Sequence, residues 1–291
     1  MKPAPFTYHR PASVDEALAL LAEHGDEAKI LAGGQSLLPV MGLRLAAPAH
    51  LVDIGRLPGL DGIDTGPDGT RIGALVTHGT AERSDELARH CPLIHQAMPH
   101  IGHRAIRTRG TVVGSIAHAD PAAEMPAVCL ALGATMHLVS DERGERTVAA
   151  GDFFEGYLTT ALEPDELFTA VSFPVSAPGT GTALFELSRR HGDYALAGLA
   201  CSITAPAGTV EAVALSFLGV ASTPVRVTEA EEALIGRVPD NDAFADAATI
   251  VNRILEPTAD VHATTAYRKH LAGVLTRRGL AQATSRIGVT A

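Results

Sequence analysis

The apolar positions in the first sixty residues follow helical spacing first and strand-like runs afterwards. Ser13 and Glu16 are spaced as a capping box, with Glu16 reaching back to the N-cap amide, and apolar residues recur at helical intervals until Gly25. We therefore predict a helix ending at Gly25. After this helix we predict a strand at Lys29–Ala32, a short helix beyond Gly33-Gly34 and a strand at His50–Ile54. Together with the first helix, these elements form a small αβαβ unit.

The pattern from residue 55 to residue 176 mixes turns, helices and strands. Gly, Pro and Asp dominate residues 55–68, which predicts a link with turns. Beyond it we predict a strand at Thr70–Leu75, two helical pieces in Thr80–Gly102 with Pro92 in the first turn of the second, a helix at Ala122–Gly133, a hairpin of Thr135–Val139 and Thr147–Val148, and a strand at Leu167–Phe173.

A boundary is expected at Ser176–Gly181, where the sequence reads SAPGTG. Strand-like runs come directly after it and helical patterns come last, an order typical of an α+β layer. We predict an antiparallel meander followed by helices, and hence a separate C-terminal domain. The strands are expected at Ala183–Arg189, Ala195–Ala205 and Val210–Val220, and the helices at Glu229–Ile235, Ala243–Ile254 and Thr264–Arg278.

Composition excludes several classes of function. The chain has 291 residues, 46% of them hydrophobic and 4% aromatic, no Trp and a formal charge of −10. Duplex binding needs clustered Lys and Arg, so we expect no nucleic-acid partner. Cys91, Cys129 and Cys201 lack the spacing of a disulfide framework, a structural zinc or an iron–sulfur cluster. With no secretion signal and no apolar run of about 18 residues, we expect a cytoplasmic chain without a membrane span.

Two glycine-containing stretches carry the candidate chemistry. An apolar run breaks at Gly33-Gly34, and Arg109–Ser115 is a second stretch of this kind. Glycine permits positive φ, so such loops direct amide N–H groups at phosphate oxygens. We expect the two loops, on neighbouring strands, to hold a dinucleotide pyrophosphate with help from the Ser36, Thr111 and Ser115 hydroxyls. The G-x-G-x-x-G fingerprint and the P-loop are both missing, so a nucleotide would be bound in another way.

Several motifs together resemble the FAD-binding medium subunit of the molybdenum hydroxylases, the family of xanthine, carbon monoxide and nicotine dehydrogenases. The motifs lie in the family's order along nearly the whole chain. They are Ala32–Leu37 (AGGQSL), Ile106–Thr111 (IRTRGT), Gly114–Pro121 (GSIAHADP), Arg189–Ala195 (RRHGDYA), Gly219–Ala221 and Pro224–Arg226.

The resemblance implies an α+β fold with a PCMH-type, vanillyl-alcohol-oxidase-like FAD-binding domain over 1–176, in subdomains of about 1–58 and 59–176. A smaller C-terminal domain like that of CO dehydrogenase flavoproteins, an antiparallel sheet with helices, follows over 177–291. The resemblance also implies cofactor-binding roles for thirteen residues. Some would lie in loops that hold the pyrophosphate, one would be a carboxylate that binds the ribose, and the others would line the cleft or lie near the flavin. These residues are Ala32, Gly33, Gly34, Gln35, Ser36, Leu37, Thr111, Gly114 and Ser115 at the phosphates, Glu124 at the ribose, and Ile101, Phe168 and Tyr194 around the rest of the cofactor.

The function implied is electron transfer through non-covalently bound FAD. Gln35 offers no covalent attachment point. A large subunit would hold molybdopterin, and a small subunit would pass electrons from its [2Fe–2S] clusters to this chain and on to an external acceptor. The complex would be a dimer of heterotrimers, and this chain would have no catalytic acid–base residues and no metal of its own. Two alternatives stay open, a self-contained flavin oxidoreductase and a ligand-free scaffold.

Two positions depart from the family pattern. Val113 stands where the family usually has Gly, and Glu186 stands where some relatives have Lys near the flavin. If position 113 needs positive φ or close backbone approach, a β-branched residue costs on the order of 1–2 kcal/mol, and we expect weakened FAD binding.

Other interpretations of single residues are less favoured. His100, His103 and His118 are weak candidates for a metal cluster, because 13 histidines make such coincidences common. Ser36 lacks the second Gly of a hydrolase nucleophile elbow. For Arg189-Arg190, a solvent-exposed strand end is as good an explanation as a functional role. Glu124 also suits the N-terminus of a helix that begins near Pro121, where the helix dipole favours a carboxylate.

Overall fold

The chain begins with a small parallel sheet covered by one helix. In the computed structural model, which describes residues 2–288, the strands lie in the order β1-β3-β2 and all pair in parallel. The elements are β1 (Thr7–His9), α1 (Val14–His24), β2 (Ala28–Leu31), α2 (Leu37–Gly42) and β3 (His50–Asp53), with a 3₁₀ turn at Gly25–Glu27. The predicted αβαβ elements are all present, but β1 was not predicted because it is a short, mostly exposed strand without apolar alternation, and the unit is therefore βαβαβ.

Both predicted ends of α1 are confirmed. Ser13 Oγ accepts a hydrogen bond from the Glu16 amide at 3.1 Å. Glu16 Oε2 accepts one from the amide of Ala12 at 2.7 Å, one residue before the amide we expected. Gly25 ends the helix with a φ of 47°, a conformation that costs glycine little because it has no Cβ.

The second unit is a five-stranded antiparallel sheet with short helices, in the strand order β4-β5-β10-β6-β7. Its strands are β4 (Ile63–Gly66), β5 (Gly69–Gly73), β6 (Thr135–Ser140), β7 (Gly144–Ala149) and β10 (Glu166–Phe173), and β8 (Phe154–Gly156) pairs with β9 (Thr159–Thr160). Its helices are α3 (His78–Glu82), α4 (Asp85–His90), α5 (Pro92–Ala97), α6 (Arg104–Arg107), α7 (Val112–His118), α8 (Glu124–Leu132) and α9 (Ala150–Phe153), with a 3₁₀ turn at Met98–His100.

Two predictions for this unit are wrong. The link expected at residues 55–68 contains β4, an exposed edge strand that sequence patterning did not reveal. The two helical pieces expected in Thr80–Gly102 are three α-helices, because Ser84 caps a new helix by accepting from the Leu87 amide. Pro92 does occupy the first turn of the last of them, as predicted.

The C-terminal unit is the predicted antiparallel meander with helices. Strand order follows chain order, and α10 to α12 come after the sheet. The elements are β11 (Thr180–Ser188), β12 (Ala195–Thr204), β13 (Ala212–Leu218), β14 (Val225–Arg226), α10 (Thr228–Glu232), α11 (Asn241–Ile254) and α12 (Thr265–Ser285). The last residues of the predicted C-terminal domain, 289–291, and residue 1 lie outside the described residues.

The C-terminal sheet separates two hydrophobic cores, and each of its faces packs into one of them. On β13, Ala214 and Leu218 belong to the core of the first two units, while Val213, Leu215 and Phe217 belong to the core shared with α11 and α12. Alternate side chains of a strand point to opposite faces, so the sheet is buried on both sides. No helix among residues 2–288 is long and apolar enough to cross a membrane.

Candidate functional site

A cleft of about 650 Å³ lies between the two N-terminal sheets and is bordered by the turn that joins β11 to β12. All thirteen residues proposed from the sequence line it, although they come from positions 32 to 194. They are Ala32, Gly33, Gly34, Gln35, Ser36, Leu37, Ile101, Thr111, Gly114, Ser115, Glu124, Phe168 and Tyr194. The fold thus brings the candidate residues into one site large enough for a nucleotide-sized ligand.

The Gly33-Gly34 turn lines this cleft with backbone amides that have no partner within residues 2–288. Gly34 has a φ of 69°, which disfavours any other residue there. Among the described residues, no amide from Gly33 to Leu37 donates a hydrogen bond to another protein group. Gln35 Nε2 donates to the Gly33 carbonyl at 3.1 Å, so this side chain holds the turn itself. The turn is therefore a preformed set of free donors.

Gly33 is also where the two glycine stretches touch. A Cβ on Gly33 would lie 2.2 Å from the carbonyl oxygen of Arg109 and 2.8 Å from Gly110 Cα. Only a residue without a side chain allows the two backbones to pass this closely. The contact fixes one side of the cleft against the other.

The second stretch is the start of a helix. Thr111 is the N-cap of α7, and its Oγ1 accepts from the Gly114 amide at 3.0 Å. The expectation of two loops on neighbouring strands is therefore wrong for this half. Two of its first-turn amides are already used, because Val112 N–H donates to the Val76 carbonyl at 3.0 Å and Gly114 N–H donates to Thr111 Oγ1. The start of α7 therefore offers the cleft the Val113 amide and the Thr111 and Ser115 hydroxyls.

Val113 is not strained. It lies in α7, is not among the residues with positive φ, and has a side chain that is 3% exposed within the hydrophobic core. We predicted weaker FAD binding if position 113 needed a positive φ, and Val113 does not have one.

Glu124 is the one strongly perturbed carboxyl in the wall of the cleft. It is the first residue of α8 and is 8% exposed. Burial, together with the nearby Glu186 carboxylate, raises its pKa to about 8. A carboxyl that keeps its proton near neutral pH can both donate and accept a hydrogen bond. The helix begins at Glu124, two residues after the predicted start at Ala122. A neutral carboxyl gains little from the helix dipole, so the protonated state favours the ligand-binding explanation over the dipole explanation.

The remaining predicted residues lie on three different elements. Ile101 ends a 3₁₀ turn, and its carbonyl accepts from the buried Arg107 side chain at 3.3 Å. Phe168 lies next to an irregularity in the pairing of β10 with β6. Tyr194 lies on the turn after β11 and is 62% exposed, so its ring stands at the rim of the cleft, free to lie against a ligand.

Among the wall residues that were not predicted as site residues, three have distinctive properties. Lys29 is the one Lys or Arg side chain lining the cleft within residues 2–288. His78 is buried with neither ring nitrogen hydrogen-bonded, and its pKa is lowered to about 4 by burial and by Arg107. Leu158, with a φ of 53°, tips the β8–β9 hairpin. Of the three, only Lys29 could have been suspected from the sequence, because it is the first residue of the predicted strand that leads into the Gly33-Gly34 turn.

Other candidates from the sequence do not form sites. His100, His103 and His118 make no metal-binding group in the described part of the chain. Arg189 and Arg190 are both exposed, in agreement with a solvated strand end. The Glu186 side chain is buried, with Oε1 3.5 Å from His100 Nδ1 and Oε2 without a hydrogen-bond partner.

Comparison with known protein families assigns the chain that forms this cleft to a family. Residues 4–176 match the FAD binding domain in molybdopterin dehydrogenase, and residues 182–283 match the CO dehydrogenase flavoprotein C-terminal domain. The chain belongs to this family. It is the FAD-binding subunit of a molybdopterin dehydrogenase, and the predicted family and oxidoreductase class are confirmed.

Individual relatives align over nearly the full length of this flavoprotein subunit. The caffeine dehydrogenase subunit beta of a Pseudomonas species is 40% identical, with 99% of this chain and 97% of the relative covered. The carbon monoxide dehydrogenase medium chain of Afipia carboxidovorans is 40% identical, with 98% and 99% covered.

Solved structures confirm the predicted fold class. Carbon monoxide dehydrogenase from Hydrogenophaga pseudoflava superposes with a TM-score of 0.96 at 39% identity, covering 99% of this chain and 100% of that one. Quinoline 2-oxidoreductase from Pseudomonas putida superposes with a TM-score of 0.92 at 36% identity, covering 98% and 99%.

Proposed function

We propose that this subunit binds one FAD non-covalently in the 650 Å³ cleft and carries electrons within a three-subunit molybdenum hydroxylase. The partners would be a small subunit with [2Fe–2S] clusters and a large subunit with molybdopterin, arranged as a dimer of heterotrimers. Names such as "medium chain" and "medium subunit" among the relatives support such partners. When bound, FAD supplies the redox chemistry that links iron–sulfur centres to an external acceptor.

The observation that carries this proposal is the row of free amides from Gly33 to Leu37 opposite the start of α7. A pyrophosphate needs several donors, and the amides of this turn, with the Thr111 and Ser115 hydroxyls at the start of α7, supply them without a costly buried charge. Lys29 adds one cation at the same wall. The residues present therefore fit the phosphates of FAD.

Backbone and side-chain groups of this subunit would then bind and orient the cofactor. We assign Ala32 to Leu37, Thr111, Gly114 and Ser115 to the phosphates, and Glu124 to the adenosine ribose, whose two hydroxyls suit a carboxyl group. Ile101 and Phe168 would exclude water from the cleft, and Tyr194 would cover the flavin from the rim. No side chain is assigned an acid–base role in substrate chemistry.

An absorption spectrum of the purified chain, before and after addition of FAD and desalting, tests this proposal. We expect retained oxidised-flavin bands with one FAD per chain, released intact on denaturation. The flavin-loaded chain should show little substrate oxidation until both partner subunits are added. Absence of flavin even after co-expression with the partners would contradict the proposal, as would vigorous turnover by the isolated chain, which would favour a self-contained oxidoreductase.

We also propose the division of the chain expected from its sequence, at about residue 58 and at residue 176. In support, β3 ends at Asp53 and β4 starts at Ile63, while β10 ends at Phe173 and β11 starts at Thr180. A cytoplasmic location is proposed as well. The buried, free thiols of Cys91, Cys129 and Cys201 support it, because reducing compartments preserve such thiols.

A further inference from the structure

Three histidines meet on the N-terminal sheet, outside the residues that line the cleft. His9 lies on β1, His24 is the last residue of α1 and His50 is the first residue of β3. One ring nitrogen from each lies within 4.8 Å of the other two, and all three residues are partly exposed. Among residues 2–288, this is the one group of three or more His, Cys, Asp or Glu side chains close enough to share a metal ion.

The backbone explains why the three rings converge. Thr7 pairs with His50 in the parallel register of β1 and β3, and His9 is two residues after Thr7, so His9 and His50 point to the same face of the sheet. Helix α1 covers that face with a buried stripe that includes Ala17 and Leu21. His24 comes seven residues after Ala17 and three residues after Leu21, so it lies on the same stripe and its ring also faces the sheet.

The rings are already in mutual contact. His9 Nε2 and His50 Nδ1 lie 2.8 Å apart and share one hydrogen bond, and the ring of His24 stacks on that of His50 with centroids 3.7 Å apart. In tetrahedral zinc coordination, two nitrogens at about 2.0–2.1 Å from the ion lie roughly 3.3 Å from each other. The three nitrogens are therefore near coordination distance, and the stacked rings of His24 and His50 must rotate out of their parallel arrangement to direct their lone pairs at one ion.

The surroundings also suit a cation. Neutral imidazole is a common metal ligand and suits zinc, copper and nickel. Glu23 Oε1 lies 4.0 Å from His24 Nε2, where a carboxylate can hold a metal-bound water or become a ligand.

We propose that His9, His24 and His50 bind one divalent transition-metal ion, Zn²⁺ foremost, with water as the fourth ligand. The ion ties the N-terminal strand β1 to α1 and to β3. This role is independent of flavin binding, because none of the three histidines lines the cleft.

Calorimetric titration of Zn²⁺ into the untagged, FAD-loaded chain, stripped with EDTA and desalted, tests the proposal. The variant His24→Ala removes one ligand and keeps the hydrogen bond between His9 and His50. The matched control His270→Ala removes an exposed histidine of α12. We expect one Zn²⁺ per chain in the wild type and the control, and at least tenfold weaker binding in His24→Ala.

Thermal unfolding with and without Zn²⁺ gives a second readout. Zn²⁺ should raise the Tm of the wild type and the control but not that of His24→Ala, because an ion that binds only the folded state stabilises it. His24→Gln serves as a second variant if His24→Ala unfolds before titration. The proposal is overturned if the wild type binds no Zn²⁺, or if both His24 variants bind it as tightly as the control.

Discussion

Replacement of Gly33 by Ala gives the sharpest test of how the cleft is built. The new Cβ would lie 2.2 Å from the Arg109 carbonyl oxygen and 2.8 Å from Gly110 Cα. Carbon–oxygen contacts closer than about 3.2 Å are repulsive, so the two backbones must separate by about 1 Å. Gly33 is not among the residues with positive φ, and the cost is therefore steric.

The expected size of the effect follows from this separation. Overpacking at a rigid contact costs about 1–3 kcal/mol of stability, which lowers Tm by several degrees in a chain of this size. The same shift moves the free amides of the turn away from the first turn of α7. Loss of two hydrogen bonds of about 1–1.5 kcal/mol each weakens FAD binding by roughly 30- to 150-fold.

The assay is titration of the apo chain with FAD, followed by quenching of flavin fluorescence, together with thermal unfolding. Gly66→Ala is the matched control, since a Cβ on Gly66 meets nothing within 4 Å and its φ is not positive. The control should keep the Kd and Tm of the wild type. A folded Gly33→Ala chain whose FAD affinity lies within threefold of the wild type would refute the backbone-contact argument.

Three further substitutions have distinct expected outcomes. Val113→Gly should cost about 2–4 kcal/mol of stability through loss of a buried side chain and of helix propensity, with no tighter FAD binding in a titration. Arg107→Lys should cost about 1–3 kcal/mol in chemical denaturation, because Lys cannot replace the two bonds to Glu82 at 2.9 and 3.0 Å or those to the carbonyls of residues 101 and 102. Glu124 has a pKa raised from 4.5 to about 8, so the unfolded chain loses this proton first, and wild-type stability should fall as pH rises through that range. Glu124→Gln should remove this dependence, which apo-chain Tm values at about pH 6 and about pH 9 would measure.

Each of these expectations has an outcome that contradicts it. Tighter FAD binding by Val113→Gly would restore the idea of strain at that position. Unchanged stability of Arg107→Lys would mean that the segment from residue 101 to residue 107 is held by packing alone. Equal pH dependence in the wild type and Glu124→Gln would assign that dependence to another group.

The sequence predicted the longer elements, and which residues come together in one cleft, better than it predicted local geometry. Helix α1 was predictable because Ser13, Glu16 and Gly25 carry end signals, and the meander was predictable from long apolar runs. Strands β1 and β4 were not, because exposed strands of three and four residues lack an apolar period.

The candidate site shows the same limit. Ten of its thirteen residues lie in the family motifs, and Ile101, Glu124 and Phe168 came from the wider family resemblance. The helical state of Val113, in contrast, depends on Thr111 acting as an N-cap, which the sequence TVVG does not reveal. His78 and the histidine cluster depend on contacts between distant segments. No pattern of neighbouring residues reports such contacts.

Helix α8 has a consequence for how this protein can be divided or recombined. Seven of its nine residues are buried, because it packs against α5 and α7 on one side and the C-terminal sheet on the other. The Gly219 amide also donates to the Pro121 carbonyl at 2.7 Å, just before this helix. A fragment cut at residue 176 would leave the outer face of α8 open to water and prone to aggregation. Chimeras between relatives should therefore exchange α8 together with β12 and β13, and a minimal flavin-binding fragment would have to retain the C-terminal sheet.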